Sequence, residues 1–268
     1  MTTQGVWRVV RTGGAPTQLS GTGEADAIAI DSGHVYWTGN YAIGSGSKPM
    51  SGAGLFSAPI GGGAATMLSA NAWSMQIAVD DTNVYGSIGP WSVPIGGGAE
   101  TMVAQGGTTF ASAAIALYGS DIYVAATPPG PPAIVSIPKT GGAPTVLVPN
   151  RAHPTAIAVD ATGIYWGEYS YLNQTGGIFR AALDGTGVAL LSSDDDVSGI
   201  AIDADNVYWS AQHTNSILSV PKGGGAVVTL ADGLDGPAGV VQYGGNVYWA
   251  ERNPSSKGVA ARRSGDLS

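Results

Sequence analysis

Apolar residues in this chain come in short blocks separated by Gly, Asp, Asn and Pro, and the blocks recur. Six segments align without gaps: AIAIDSGHVYW (27–37), QIAVDDTNVYG (76–86), AIALYGSDIYV (114–124), AIAVDATGIYW (156–166), GIAIDADNVYW (199–209) and GVVQYGGNVYW (239–249). Each reads as an apolar strand, a tight Gly/Asp/Asn turn and a second apolar strand, which predicts a β-hairpin. A second hairpin follows. Its first strand shows as GVWRVV, GLFSAPI, GPWSVPI, AIVSIPK, GIFRAAL and SILSVPK, and a Gly-rich turn leads into strands such as TQLS, TMLS and TVLV. The aligned tyrosines Tyr36, Tyr85, Tyr123, Tyr165, Tyr208 and Tyr248 lie 49, 38, 42, 43 and 40 residues apart.

Four short strands per repeat of about 40 residues is the sequence form of a β-propeller blade. The strands are apolar at most positions rather than alternating, as expected where neighbouring blades cover both faces. The expectation is an all-β, single-domain chain: a six-bladed β-propeller with four antiparallel strands per blade. Blades start near residues 27, 76, 114, 156, 199 and 239. The chain opens on a lone third-and-fourth-strand hairpin (residues 5–20), which is expected to complete the last blade and close the ring, protecting its edges. The degenerate segment KGVAARRSGDLS (257–268) competes for that slot. Trp7 offers far more apolar area than Ala260, so the C-terminal stretch is read as a tail.

The Tyr–Trp pair, preceded by an IAxD strand, resembles the six-bladed YWTD propellers of the low-density lipoprotein receptor family. More loosely, it is similar to bacterial propellers of the gluconolactonase and virginiamycin-lyase type. Tyr–Trp stands in four repeats, with Gly86 and Val124 replacing Trp in the second and third. The fourth YWTD position holds Gly39, Ile88, Ala126, Glu168, Ala211 and Glu251, so the family's Asp is absent throughout. The resemblance implies architecture; no catalytic residue carries over, and fold does not fix function.

Composition narrows the rest. Gly contributes 42 residues and Pro 16, which suits turn-rich β structure. The formal net charge of −8 argues against nucleic acid and anionic membrane surfaces, which select basic patches. No apolar run reaches the roughly 20 residues needed to cross a bilayer as a helix. No leader is visible in MTTQGVWRVV, so an exported or cell-surface protein would carry its leader outside this sequence. The absence of Cys removes disulfides and thiolate chemistry.

Whatever recurs in every repeat is scaffold. The repeat tyrosines and tryptophans, with Trp7, Phe56, Trp91 and Phe179, account for 14 of the 21 aromatics and are assigned to packing. The turn aspartates Asp31, Asp80, Asp160 and Asp203 are assigned to capping backbone N–H groups. Tyr118 and Tyr243 replace that Asp in the third and sixth repeats. Five aromatics stand off the frame, in loops sharing one face: Tyr41, Trp73, Phe110, Tyr169 and Tyr171. With Glu168, Asn173, His213 and Glu251 they form the candidate ligand site, since rigid scaffolds carry binding residues on loops. His153, His213 and Glu168 are the candidate catalytic or metal-holding groups. Asp194, Asp195 and Asp196 are the candidate ligands of a hard divalent cation such as Ca or Mg, although the spacing is not that of a dedicated calcium loop. Glu168 and Glu251 should stand about 15 Å apart on strand spacing alone, beyond the roughly 5–9.5 Å of a glycosidase pair.

The leading reading is a monomeric, non-enzymatic binding module without a cofactor. It presents an aromatic and acidic face to a polar small molecule, a glycan or a basic peptide. A metal-assisted lyase or hydrolase centred in the axial cup is the alternative from another class, and a protein-interaction scaffold is a third.

Overall fold

A computed structural model of the chain describes residues 6–8, 17–20, 24–40, 53–105, 114–126, 132–169, 176–193, 196–251 and 260–263. Tyr41, Phe110, Tyr171, Asn173, Asp194 and Asp195 lie outside the described residues. Every element among those described is a β-strand. The chain forms two compact units, one of Met1–Ser112 with Pro138–Ala143, the other of Ala113–Ile137 with Pro144–Ser268.

In the first unit, β1 (Val6–Arg8) and β2 (Thr17–Ser20) pair as a hairpin. Two four-stranded antiparallel sheets follow. The first holds β3–β6 (Glu24–Ile30, His34–Asn40, Ala53–Pro59, Thr66–Ser69), the second β7–β10 (Ile77–Val79, Asn83–Gly86, Trp91–Pro94, Thr101–Met102). In the second unit come β11–β14 (Ala114–Tyr118, Asp121–Ala126, Ala133–Pro138, Thr145–Val148) and β15–β18 (Pro154–Asp160, Gly163–Glu168, Gly177–Ala181, Ala189–Ser193). Next are β19–β22 (Val197–Ile202, Asn206–Ala211, Ser216–Pro221, Val228–Ala231) and a three-stranded sheet, β23–β25 (Pro237–Tyr243, Asn246–Glu251, Ala260–Arg263). Strands pair in chain order, as the doubled-hairpin pattern predicts.

The last sheet corrects one expectation. Its third strand is the C-terminal Ala260–Arg263, registered Trp249↔Ala260 through Asn246↔Arg263; the N-terminal hairpin is a separate two-stranded sheet. A segment only a short loop downstream of β24 closes onto it at small entropic cost. The hairpin instead buries Val6 and Leu19 against Val35, Trp37 and Ala58 of the first sheet.

In the four repeats that carry it, the turn aspartate explains why the first hairpin recurs. Asp31 Oδ1 accepts the N–H groups of Gly33 and His34, both at 2.7 Å, while its Oδ2 accepts the Tyr36 hydroxyl at 2.7 Å. Asp203 does the same with Asp205, Asn206 and Tyr208, and Asp80 with Thr82, Asn83 and Tyr85. One carboxylate thus closes the turn and pins the buried tyrosine of the next strand. Burial alone would raise the pKa of Asp80 and Asp203, but these donors outweigh it and hold both below the usual carboxylate range. Burial, and then the bond to the aspartate, pushes Tyr36 and Tyr208 up.

In the first unit the first and second sheets pack face to face, and in the second unit the third to sixth do so in succession. Ile157 and Trp166 of the fourth sheet bury against Tyr123 and Ile134 of the third, and Tyr165 and Ile178 against Trp209 and Val220 of the fifth. A lysine just beyond a third strand forms one ion pair in each unit. Lys222 pairs with Asp160, its ammonium 5.3 Å from the centre of the Tyr165 ring. Lys139 pairs with Asp80 at 3.0 Å and stands 6.0 Å from the Tyr85 ring. Where the acid is replaced by Tyr118, the lysine position holds Leu183, and both pack on one apolar cluster.

The missing Trp of the second repeat also has a physical account. Gly86 registers against Trp91, and a Cβ on Gly86 would fall 2.2 Å from that indole. The large ring has moved to the neighbouring strand; in the first and fourth repeats the paired positions hold stacked Trp37–Phe56 and Trp166–Phe179.

Candidate functional site

Two of the five off-frame aromatics are described, one in each unit. Trp73 lies just before β7. Its indole N–H donates to Asp26 Oδ2 at 2.8 Å, and its carbonyl accepts the Trp91 indole N–H at 3.1 Å. Trp73 is half-buried and Asp26 exposed. A loop tryptophan is therefore fixed at its edge by a solvent-facing carboxylate, one sheet joined to the next.

In the second unit, Tyr169 directly follows β16 and forms an isolated antiparallel bridge with Asp196. Its N–H donates to the His153 carbonyl at 2.9 Å, and the Gln212 N–H donates to the Asp196 carbonyl at 3.0 Å. His153, Tyr169, Asp196 and Gln212 thus follow one another along a backbone network at one end of the fourth and fifth sheets. His213 is exposed in the Gln212–Asn215 turn, which closes through Asn215 in the left-handed region at φ 51°.

Glu168 has a different setting. It is 1% exposed. Its Oε1 accepts the Trp166 indole N–H at 2.6 Å and pairs with Arg151 Nε, while Oε2 accepts the Ala152 N–H at 3.3 Å. The Arg151 guanidinium lies 4.6 Å from the Phe179 ring centre and 5.5 Å from that of Trp166. Three donors occupy this carboxylate, so it organises the corner of the fourth sheet rather than facing an open cup.

Of the other candidates, Glu251 ends β24 at the register position that Glu168 has in β16: Pro237↔Glu251 matches Pro154↔Glu168. Among the described residues, no three His, Asp or Glu side chains stand close enough to hold a metal ion. Two functional partners were not singled out from sequence. Asp26 was one loop acid among many. Arg151 could have been found from Glu168, since an acid in the strand motif followed by burial requires a counter-charge.

No protein-family model matches the chain, and no curated protein sequence does. Solved structures do. A chain of the "Nidogen/Laminin Complex" crystal structure is similar at TM-score 0.53 and 18% identity, covering 92% of this chain and 80% of that one. A GH74 enzyme of Niastella koreensis is similar at TM-score 0.75 and 13% identity, covering 97% of this chain and 49% of that one. This chain therefore spans about half the length of that enzyme. The computationally designed Ika8 protein is similar at TM-score 0.59 and 14% identity, covering 84% and 67%. At such identities the likeness carries the fold alone: with successive four-stranded antiparallel sheets, this is a chain of β-propeller character.

Proposed function

We propose that the chain is a propeller binding module of the YWTD-like kind, whose loop residues take a polar ligand, either a saccharide or a basic peptide. Trp73 carries this reading. A loop indole held at its edge by an exposed carboxylate supplies an apolar ring face for stacking and, beside it, an acceptor for hydroxyl or ammonium groups. In the other unit a loop aromatic and an acid, Tyr169 and Asp196, are brought side by side by a backbone bridge. The comparison with a nidogen/laminin complex lends weight to a peptide or protein ligand. The six sheets are the blades of one closed ring in this reading. Its support is the strand–turn–strand segment that recurs six times along the chain.

The test is ligand binding by Trp73→Ala and Tyr169→Ala across a glycan array and a basic-peptide panel. Binding by the wild-type chain that either variant weakens at least about tenfold, roughly 1.4 kcal/mol, is the expected result. Binding left intact in both variants would remove the site.

A further inference from the structure

Asp26 is an extra residue in its strand. Ala25 registers with Gly39 and Ala27 with Thr38, so Asp26 bulges from β3 without a partner on β4. The fourth and fifth sheets bulge at the same point, two residues before the isoleucine that registers with the strand tryptophan, and there stand Thr155 and Ser198. Their hydroxyls tie each sheet to the next. Thr155 Oγ1 donates to the Val197 carbonyl at 2.7 Å, and Ser198 Oγ to that of Pro237 at 3.0 Å. In the first sheet Thr38 makes this tie instead, its Oγ1 donating to the Ser74 carbonyl at 2.7 Å. The bulge side chain is thereby released from the scaffold, and a bulge re-aims the side chain it carries. Asp26 faces solvent and takes the Trp73 indole N–H.

The segment carrying Trp73 is firmly held. Ala72 and Ser74, on either side of it, are 0% exposed. Ser74 Oγ lies 3.0 Å from Ser87 Oγ and accepts the Ser87 N–H at 2.8 Å. Asn71 and Met75 are exposed, so burial alternates along 71–75 and Asn71, Trp73 and Met75 share the outward side.

An acid bonded to the polar edge of an aromatic ring is a unit that this chain uses elsewhere, and there it takes a lysine. Tyr85 donates its hydroxyl to Asp80 Oδ2 at 3.2 Å, while the Lys139 ammonium stands 3.0 Å from that same oxygen and 6.0 Å from the ring centre. Lys222 is placed likewise on Asp160 and Tyr165, whose hydroxyl reaches the acid through Thr162. The carboxylate supplies the counter-charge and the ring face a negative quadrupole, for which Trp is the best of the aromatic side chains.

We propose that Trp73 and Asp26 bind the side-chain ammonium of a lysine in a peptide partner, with the exposed Met75 thioether offered to its methylene stem. This rests on the binding-module reading and selects the basic peptide over the saccharide. The Trp73 N–H is already engaged by Asp26, so the pair presents acceptors and a π face. A cation uses both, whereas a sugar hydroxyl finds acceptors at the pair but no donor.

The test follows the Trp73 indole signal of the nitrogen-15-labelled chain by NMR, assigned by its loss in Trp73→Phe. The probes are acetyl-Gly-Lys-Gly-amide, the same peptide with norleucine, which lacks the ammonium, and cellotetraose. A saturable shift of the Trp73 signal with the lysine peptide is expected. It should be at least about tenfold weaker with norleucine, and equally so in Asp26→Asn, which keeps an acceptor for the indole but removes the charge. The norleucine comparison uses the wild-type chain alone, so it holds even if Asp26→Asn fails to fold. An unmoved Trp73 signal, an equal response to norleucine, or an undiminished response in folded Asp26→Asn overturns the proposal. So does a response appearing only in Lys48→Met, which would mean that the chain's own lysine takes this place. A Trp73 signal that ignores the lysine peptide, with binding still seen on the glycan array or the basic-peptide panel, refutes this ligand and leaves the module standing; a silent signal with no binding on either defeats both.

Discussion

Removing the Glu168 side chain should unfold the fourth sheet more readily than its single position suggests. Glu168→Ala strands three donors at once. The Trp166 indole is 0% exposed, so its N–H cannot turn to water, and a buried unsatisfied donor costs about 1–3 kcal/mol. Ala152 is exposed, so its N–H finds water at little cost. The Arg151 side chain is 17% exposed, mostly withdrawn from solvent, and an uncompensated buried charge brings such losses to about 3–5 kcal/mol. Discounting for the exposed part of Arg151 leaves about 3 kcal/mol, a large share of the roughly 5–15 kcal/mol that holds a folded domain. Urea denaturation followed by tryptophan fluorescence is the assay. With a slope near the upper end of about 1–3 kcal/mol/M, the midpoint should fall by about 1 M. Adding Arg151→Met to the variant removes the stranded cation, so the double variant should lose about 1–2 kcal/mol less than the two single losses together. A midpoint shift under about 0.3 M, or strictly additive losses, would refute the reasoning that this corner is an internal cation site.

The two paired lysines should differ in a definite order. Lys222 is 8% exposed and Lys139 20% exposed, so Lys222→Met should cost about 1–2 kcal/mol and Lys139→Met less than about 1 kcal/mol; equal losses in chemical denaturation would contradict the burial argument. Folded-state carboxyls of Asp31, Asp80, Asp160 and Asp203 all lie below the ordinary value. Their stabilisation is therefore present above about pH 4 and is lost as pH falls through the lower folded values, which acid titration of the melting temperature would show. At the alkaline end, Tyr36 and Tyr208 are shifted up, so their contribution holds below about pH 10 and fades as pH rises through the folded values. Gly86→Ala sets a Cβ against the buried Trp91 ring and should cost about 1–3 kcal/mol by overpacking, read as a lower melting temperature; an unchanged melt would mean that the indole had another place to go.

The repeat by itself determined the sheets. A turn acid followed five residues later by a tyrosine is a local device: Asp31 with Tyr36 and Asp203 with Tyr208 need only their own hairpin to form. The pattern was therefore legible wherever it occurred, and so was the assignment of those aspartates to capping. Strand order followed because each hairpin finds its neighbour along the chain. Tertiary structure decided what depends on contacts between residues far apart in sequence. Lys222 meets Asp160 across 62 residues, and nothing local in either repeat announces the pair. Trp73 finds its acceptor in Asp26, 47 residues earlier. Glu168 looked like a free acid on a binding face until Arg151, Trp166 and Ala152 were seen to close around it. The last sheet shows the same division. Amino-acid pattern favoured Trp7 over Ala260 as the third strand, but pattern carries no measure of chain connection, and the segment tethered just beyond β24 took the edge.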